Sequence, residues 1–153
     1  MSTTANEIRK EIHLNAPIAR VWRALTNHKE FGQWFRVNFD APFVPGKTAS
    51  GHITWPGYEH LKWNAVVQKM EPQKLFSFTW HPYSIDPNAD CSTETPTLVE
   101  FHLKEANGGT HLVVIESGFD KIPAHRRDTA FLRNSEGWTI QMTNIDTYVK
   151  ERP

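Results

Sequence analysis

From about residue 128 to residue 150 one set of residues recurs with helical period. Phe131, Ser135, Trp138, Met142, Ile145 and Val149 are spaced four, three, four, three and four apart. That spacing puts them on one face of a long helix, and an apolar helix face must bury itself against another layer. The periodic segments elsewhere run in steps of two. Ile8, Lys10, Ile12 and Leu14 alternate with Arg9, Glu11 and His13, as in a half-buried strand. Phe76, Phe78 and Trp80 share one face of Leu75 to Trp80, and Val99, Phe101 and Leu103 share one face of Leu98 to Lys104. Asn107-Gly108-Gly109 then signals a hairpin, with a return strand from Thr110 to Ser117. Strands segregated from the long helix predict an α+β fold, in which a curved antiparallel sheet of about six or seven strands grips a C-terminal helix over Asp128 to Lys150.

Two short helices are expected after the first strand. Asn15-Ala16-Pro17 opens the first, with Asn15 as its cap, Pro17 in its first turn, and Val21, Trp22 and Leu25 as its apolar stripe. The second covers His28 to Trp34, with Thr26 and Asn27 as cap candidates. Val37 and Phe39 mark a short strand, Thr48 to Trp55 another, and Pro56-Gly57 a turn. Tyr58 to Met70 is strand-like, but Leu61, Trp63, Ala65 and Val67 have one parity while Val66 and Met70 have the other. A bulge near Val66-Val67 reconciles them. His81 to Pro96, with three prolines, is a loop. Gly137 inside the long helix costs about 1 kcal/mol relative to alanine, which a close helix–sheet approach would explain. No linker divides the 153 residues, so one domain is expected over 1–153 with its core at about 7–150.

Seventeen basic residues balance seventeen acidic ones, which gives no electrostatic reason to expect nucleic acid or an anionic membrane as a partner. No stretch approaches the ~18 apolar residues of a membrane span. Met1 to Glu7 has neither the basic start nor the apolar run of a secretory signal, and the single cysteine, Cys91, fits a reducing compartment, so a cytoplasmic location is expected. The eight histidines form no helical metal pair, Cys91 has no cysteine at ligand spacing, and there is no phosphate-cradling glycine loop or nucleophile elbow. Neither a metal nor a cofactor is expected.

The order of elements and four local sequences resemble the START-like helix-grip superfamily (SRPBCC), and within it proteins similar to the C-terminal domain of the activator of heat-shock protein 90 ATPase. The four are Ala16-Pro17 followed by Val21-Trp22-Arg23-Ala24-Leu25-Thr26; Phe31-Gly32-Gln33-Trp34-Phe35; Glu71-Pro72-Gln73-Lys74-Leu75 through Phe78-Thr79-Trp80; and Ser117-Gly118-Phe119 ahead of Gly137-Trp138. The likeness spans about residues 7 to 150. It implies about seven antiparallel strands around the last helix, with space between them for a small apolar molecule. The chain is expected to lack the N-terminal domain of the full-length activators. The superfamily includes ligand carriers, cyclases and chaperone regulators, so the fold alone fixes no function.

Six tryptophans and nine phenylalanines are enough to wall a cavity as well as to fill a core. The expected wall is Trp34, Phe39, Trp55, Trp63, Phe78, Trp80, Phe101, Trp138 and Met142. Glu116 shares the inward parity of Leu112 and Val114. A buried carboxylate must be paired, hydrogen-bonded or protonated, so Glu116 is the candidate polar handle. The competing expectations are that it reaches water at the strand end or pairs with a nearby arginine such as Arg133. Three functional readings follow: a protein that binds a small hydrophobic ligand without committed catalysis; a cyclase- or hydratase-like enzyme using Glu116 or His81 as acid/base; and a protein-interaction module regulating a chaperone or another partner.

Overall fold

A computed structural model describes residues 6–81 and 95–151. Among these, seven strands form one antiparallel sheet: β1 (Glu7–Leu14), β2 (Val37–Phe39), β3 (Thr48–Ile53), β4 (Lys62–Glu71), β5 (Leu75–Trp80), β6 (Thr97–Ala106) and β7 (Gly109–Ser117), in the order β1-β7-β6-β5-β4-β3-β2. Helices α1 (Ile18–Thr26) and α2 (His28–Phe35) carry the chain from one sheet edge to the other, and α3 (Ala124–Glu151) closes the fold. The segregated α+β architecture expected from the two periodicities is the one observed.

The local chemistry explains most boundaries. Asn27 caps α2, its side-chain oxygen accepting from the backbone N–H of Lys29 and Glu30. Asn107 and Gly108 both have positive φ, 49° and 78°, as a tight hairpin with right-handed strand twist requires. Four expectations need correction. Asn15 does not cap α1; Pro17 holds the cap position, and its carbonyl accepts from Arg20 and Val21. β3 ends at Ile53 and β4 begins only at Lys62, because Tyr58 N–H bonds Trp55 O and Leu61 N–H bonds Tyr58 O in consecutive turns. The register shift in β4 lies between Val67 and Lys69, one step beyond the expected bulge, so that Trp63, Ala65, Val67 and Met70 all reach the inner face. α3 starts a turn early, where Pro123 O accepts from Arg126 and Arg127.

The space between sheet and helices is occupied by rings. Phe31 is fully buried, and its centroid lies 4.8 Å from Trp34, 4.9 Å from Phe35, 5.5 Å from Phe43 and 5.7 Å from Phe39. Contacts continue through Phe76, Phe78 and Phe101 to Trp138 on α3. Arg20 ties the three helices together. It is buried, 2.8 Å from Glu30 on α2, with its guanidinium over the Tyr148 ring of α3, whose hydroxyl donates to the same Glu30 at 3.0 Å. A buried charge pair tolerates the loss of a partner poorly.

Phe31→Ala should cost about 3–5 kcal/mol in denaturant unfolding, against within about 0.5 kcal/mol for Leu132→Ala on the exposed face of α3. Equal effects would contradict the ring-centred core. Tyr148 is held above its ordinary value of 10.0, first by burial and then by its bond to the Glu30 carboxylate and that group's charge. As pH rises past 10 the unfolded chain releases this proton before the folded one, so stability falls from there upward. Between about pH 9 and 11 wild type should therefore lose more stability than Tyr148→Phe; parallel profiles would exclude the linkage.

Candidate functional site

β7 is central, between β1 and β6, and its inward residues are Thr110, Leu112, Val114 and Glu116. Glu116 lies opposite Val99 on β6 and Ile8 on β1, and is completely buried. Four side chains from three elements converge on its carboxylate. Oε1 accepts from Trp138 Nε1 at 2.8 Å and from Asn134 Nδ2 at 2.9 Å. Oε2 accepts from Trp80 Nε1 at 2.7 Å, from Thr97 Oγ1 at 2.5 Å, and from the shared Asn134 amide at 3.1 Å. Cross-strand pairing sets Trp80 beside Thr97, and the i, i+4 spacing sets Asn134 and Trp138 on one face of α3.

Indole N–H groups can only donate, so the site is built to present donors to an acceptor. A carboxylate has about four lone-pair positions, and all are engaged. Neither competing expectation for Glu116 holds: it is completely buried, and among the described residues its four partners are neutral, with no ion pair to Arg133. The charge is instead balanced by aligned dipoles. As a result the carboxylate has no position left for a ligand, but it fixes the orientation of two indole rings. His81, the other acid/base candidate, is exposed and is not among the partners of Glu116.

Those two rings stand 5.7 Å apart, inclined at 32°, and the Phe35 ring meets each at about 6 Å, edge-on. With Arg133, Asn134, Gly137 and Gln141 they line a recess of about 100 Å³. Gly137 is not explained by close helix–sheet packing: among the described residues, no atom beyond its own stretch of helix lies within 4 Å of where its Cβ would stand. Its missing side chain leaves the recess open, although glycine costs a helix about 1 kcal/mol relative to alanine. A larger cleft of about 810 Å³, of mixed polar and apolar lining, lies between α2, β2 and the end of α3, lined by His28, Lys29, Arg36, Asn38 and Tyr148 among others.

The structure brings most of the expected wall together, though as packed rings. Trp34, Phe39, Trp63, Phe78, Phe101 and Met142 are buried. Trp34 donates its N–H to Ala24 O at 2.8 Å, joining α2 to α1, and Phe39 meets Trp63 at 5.0 Å, nearly perpendicular. Among the described residues the buried Trp63 N–H has no acceptor. Trp55 stands apart: it is 47% exposed, with the Arg36 guanidinium over its ring at 5.1 Å. Cys91 lies outside the described residues. The sequence reading missed Thr97, Asn134, Phe35 and Gln141. The parity of Thr97 with Val99 and the four-residue step from Asn134 to Trp138 were the available signals.

Among the described residues no group of histidine, cysteine, aspartate and glutamate could hold a metal ion, and no helix is long and apolar enough to cross a membrane. The family model described as activator of Hsp90 ATPase homolog 1-like protein matches residues 15–150. No curated protein matches the sequence. Solved structures share the fold. Protein MLL2253 from Mesorhizobium loti is 22% identical with a TM-score of 0.74, covering 96% of this chain and 98% of that one. The Aha1 dimer from Colwellia psychrerythraea is 15% identical with a TM-score of 0.68, covering 94% and 95%. DynU16, from the dynemicin biosynthetic locus, is 20% identical with a TM-score of 0.73; the match covers 96% of this chain but only 48% of that one, so this chain spans about half its length.

Glu116→Gln should cost roughly 1–3 kcal/mol at neutral pH, because whichever way the amide turns its NH₂ faces an indole N–H. The denaturant midpoint should fall and one indole N–H resonance should move upfield. An unchanged midpoint would show that the carboxylate is not held as a pure acceptor.

Proposed function

We propose, for a chain that belongs to the activator of Hsp90 ATPase homolog 1-like family, that it binds a small apolar molecule in the recess beside Trp80 and Trp138. The observation that carries the reading is the Glu116 network. A fully buried carboxylate, with every acceptor position committed, holds two large rings in fixed orientation on the wall of an opening. Preorganised walls lower the ordering cost of binding. Trp80 and Trp138 are the contact surfaces in this reading, and Glu116 is a positioning residue behind them. Trp34, Phe39, Trp63, Phe78, Phe101 and Met142 support the walls by packing. At about 100 Å³ the recess is below the ~300 Å³ of typical ligand pockets, so it suits one ring, or the end of a longer molecule.

Binding is preferred to catalysis because an acid/base group must reach its substrate, and Glu116 is enclosed by its own donors. It is preferred to a docking role because the exposed apolar residues of α3, Leu132 and Ile140, stand two turns apart, and scattered surface residues of this kind are ordinary. The lone cysteine suits a carrier working in the cytoplasm.

A neutral apolar fluorophore, N-phenyl-1-naphthylamine, tests the reading by energy transfer from tryptophan. Saturable binding at micromolar concentration is expected, weakened about tenfold by Trp80→Ala and unchanged by Lys104→Ala on the outer sheet face. Absence of saturable binding, or equal effects of the two substitutions, would remove this function.

A further inference from the structure

We infer that the ligand is a small flat ring bearing an acidic group, admitted by the missing side chain of Gly137 and anchored by Arg133. This rests on the binding reading above and names the chemistry of the same recess.

The argument begins with which lining groups are already engaged. Both indole N–H groups and the Asn134 amide donate to Glu116. The Gln141 amide donates to Phe35 O at 3.4 Å, and its oxygen accepts from Asn144 at 3.1 Å. Arg133 differs. It is exposed, it lines the recess, and among the described residues it makes no ion pair or hydrogen bond. A guanidinium offers a planar fork of N–H donors, which matches a carboxylate in two places at once. Among the described residues it is also the one charged side chain in the lining. The Glu116 charge opposes an anion, but it sits behind the indoles with its lone pairs turned to four donors, whereas Arg133 faces the opening.

Shape follows from the walls. Two indoles 5.7 Å apart with a third ring edge-on favour a flat guest. An apolar cavity of about 150 Å³ is enough for benzene, so about 100 Å³ open to solvent seats most of one ring, with its outer edge and substituent outside. Gly137 supplies that space. Nothing in the packing of the described residues requires a glycine there, so a side chain at this position would enter the recess and leave the core alone.

The test is a nuclear magnetic resonance titration of the intact chain, following the Trp80 and Trp138 indole N–H signals with benzoate, benzamide and benzylammonium at millimolar concentration. Benzoate should shift both signals saturably and bind roughly fivefold more tightly than benzamide, with benzylammonium weakest. Arg133→Gln should reduce benzoate to the benzamide level. Gly137→Leu should abolish binding of all three while melting at or above the wild-type temperature, and Gly137→Ala should weaken it in part with the same stability. Equal affinity for acid and amide, or an unaffected Arg133→Gln, would overturn the anionic class while leaving apolar binding intact. Wild-type affinity in a folded Gly137→Leu would show that the recess is not the site. Failure of all three ring compounds overturns this inference even if the neutral fluorophore binds, whereas failure of the fluorophore alone counts against the apolar reading.

Discussion

One buried carboxylate sets much of the geometry of this molecule. Glu116 is withdrawn from water entirely, and an ion in that position needs several strong donors or it unfolds its surroundings. The demand is met from three directions: the end of β5, the start of β6 and the middle of α3. Each donor constrains its element. A one-residue slip of β7 against β6 would turn Glu116 to the outer face and Leu112 and Val114 with it. A rotation of α3 by one residue would remove Asn134 and Trp138 together. The network therefore fixes strand register and helix rotation at once, which general apolar packing does less sharply.

The aromatic interior works differently. Phe31 and its neighbours are joined by many edge-to-face and stacked contacts, each individually small, which add to the burial of large apolar rings. These contacts fill the space that a carrier of large ligands would leave empty. The Arg20–Glu30–Tyr148 cluster then holds the three helices against one another at the far side of α2. Apart from the cleft beside α2, the described residues leave a small opening where the ring cluster meets the carboxylate network.

Periodicity carried the fold a long way. Alternation placed Glu116, Phe78, Trp80 and Phe101 inward, and the four–three spacing placed Trp138 and Met142 on the buried face of α3. The partners of Glu116 were not legible, because they arrive from up to 36 residues away in sequence and their convergence is tertiary. Arg133, the nearest obvious countercharge, is on the same helix as Asn134 but is exposed at the mouth of the recess; chain proximity favoured the charged residue, and helix rotation selected the amide. Trp55 was expected in the cavity wall at the end of a strand, yet two consecutive turns end β3 before it and leave it stacked beneath Arg36. Gly137 was legible as an anomaly but not as a vacancy, since the empty volume beside a residue has no one-dimensional signature.

Fixing Trp80 and Trp138 has a consequence for how the recess can change size. Each indole is held by its N–H to an oxygen that has no free lone pair with which to accommodate a shifted donor. Moving either ring to enlarge the opening would strand a buried acceptor as well as a donor, which is far more costly than rotating a surface side chain. Phe35 is constrained too, packed on Phe31 at 4.9 Å and Trp34 at 5.6 Å. The movable member of the described lining is Arg133 on α3, so any widening must occur at the solvent side of the recess and not toward the core. The depth available to a guest is then set by the rigid rings, and its width at the helix by the absent side chain of Gly137. A site of this construction discriminates among ligands by the thickness and breadth of the inserted end, while tolerating variety in whatever part stays outside.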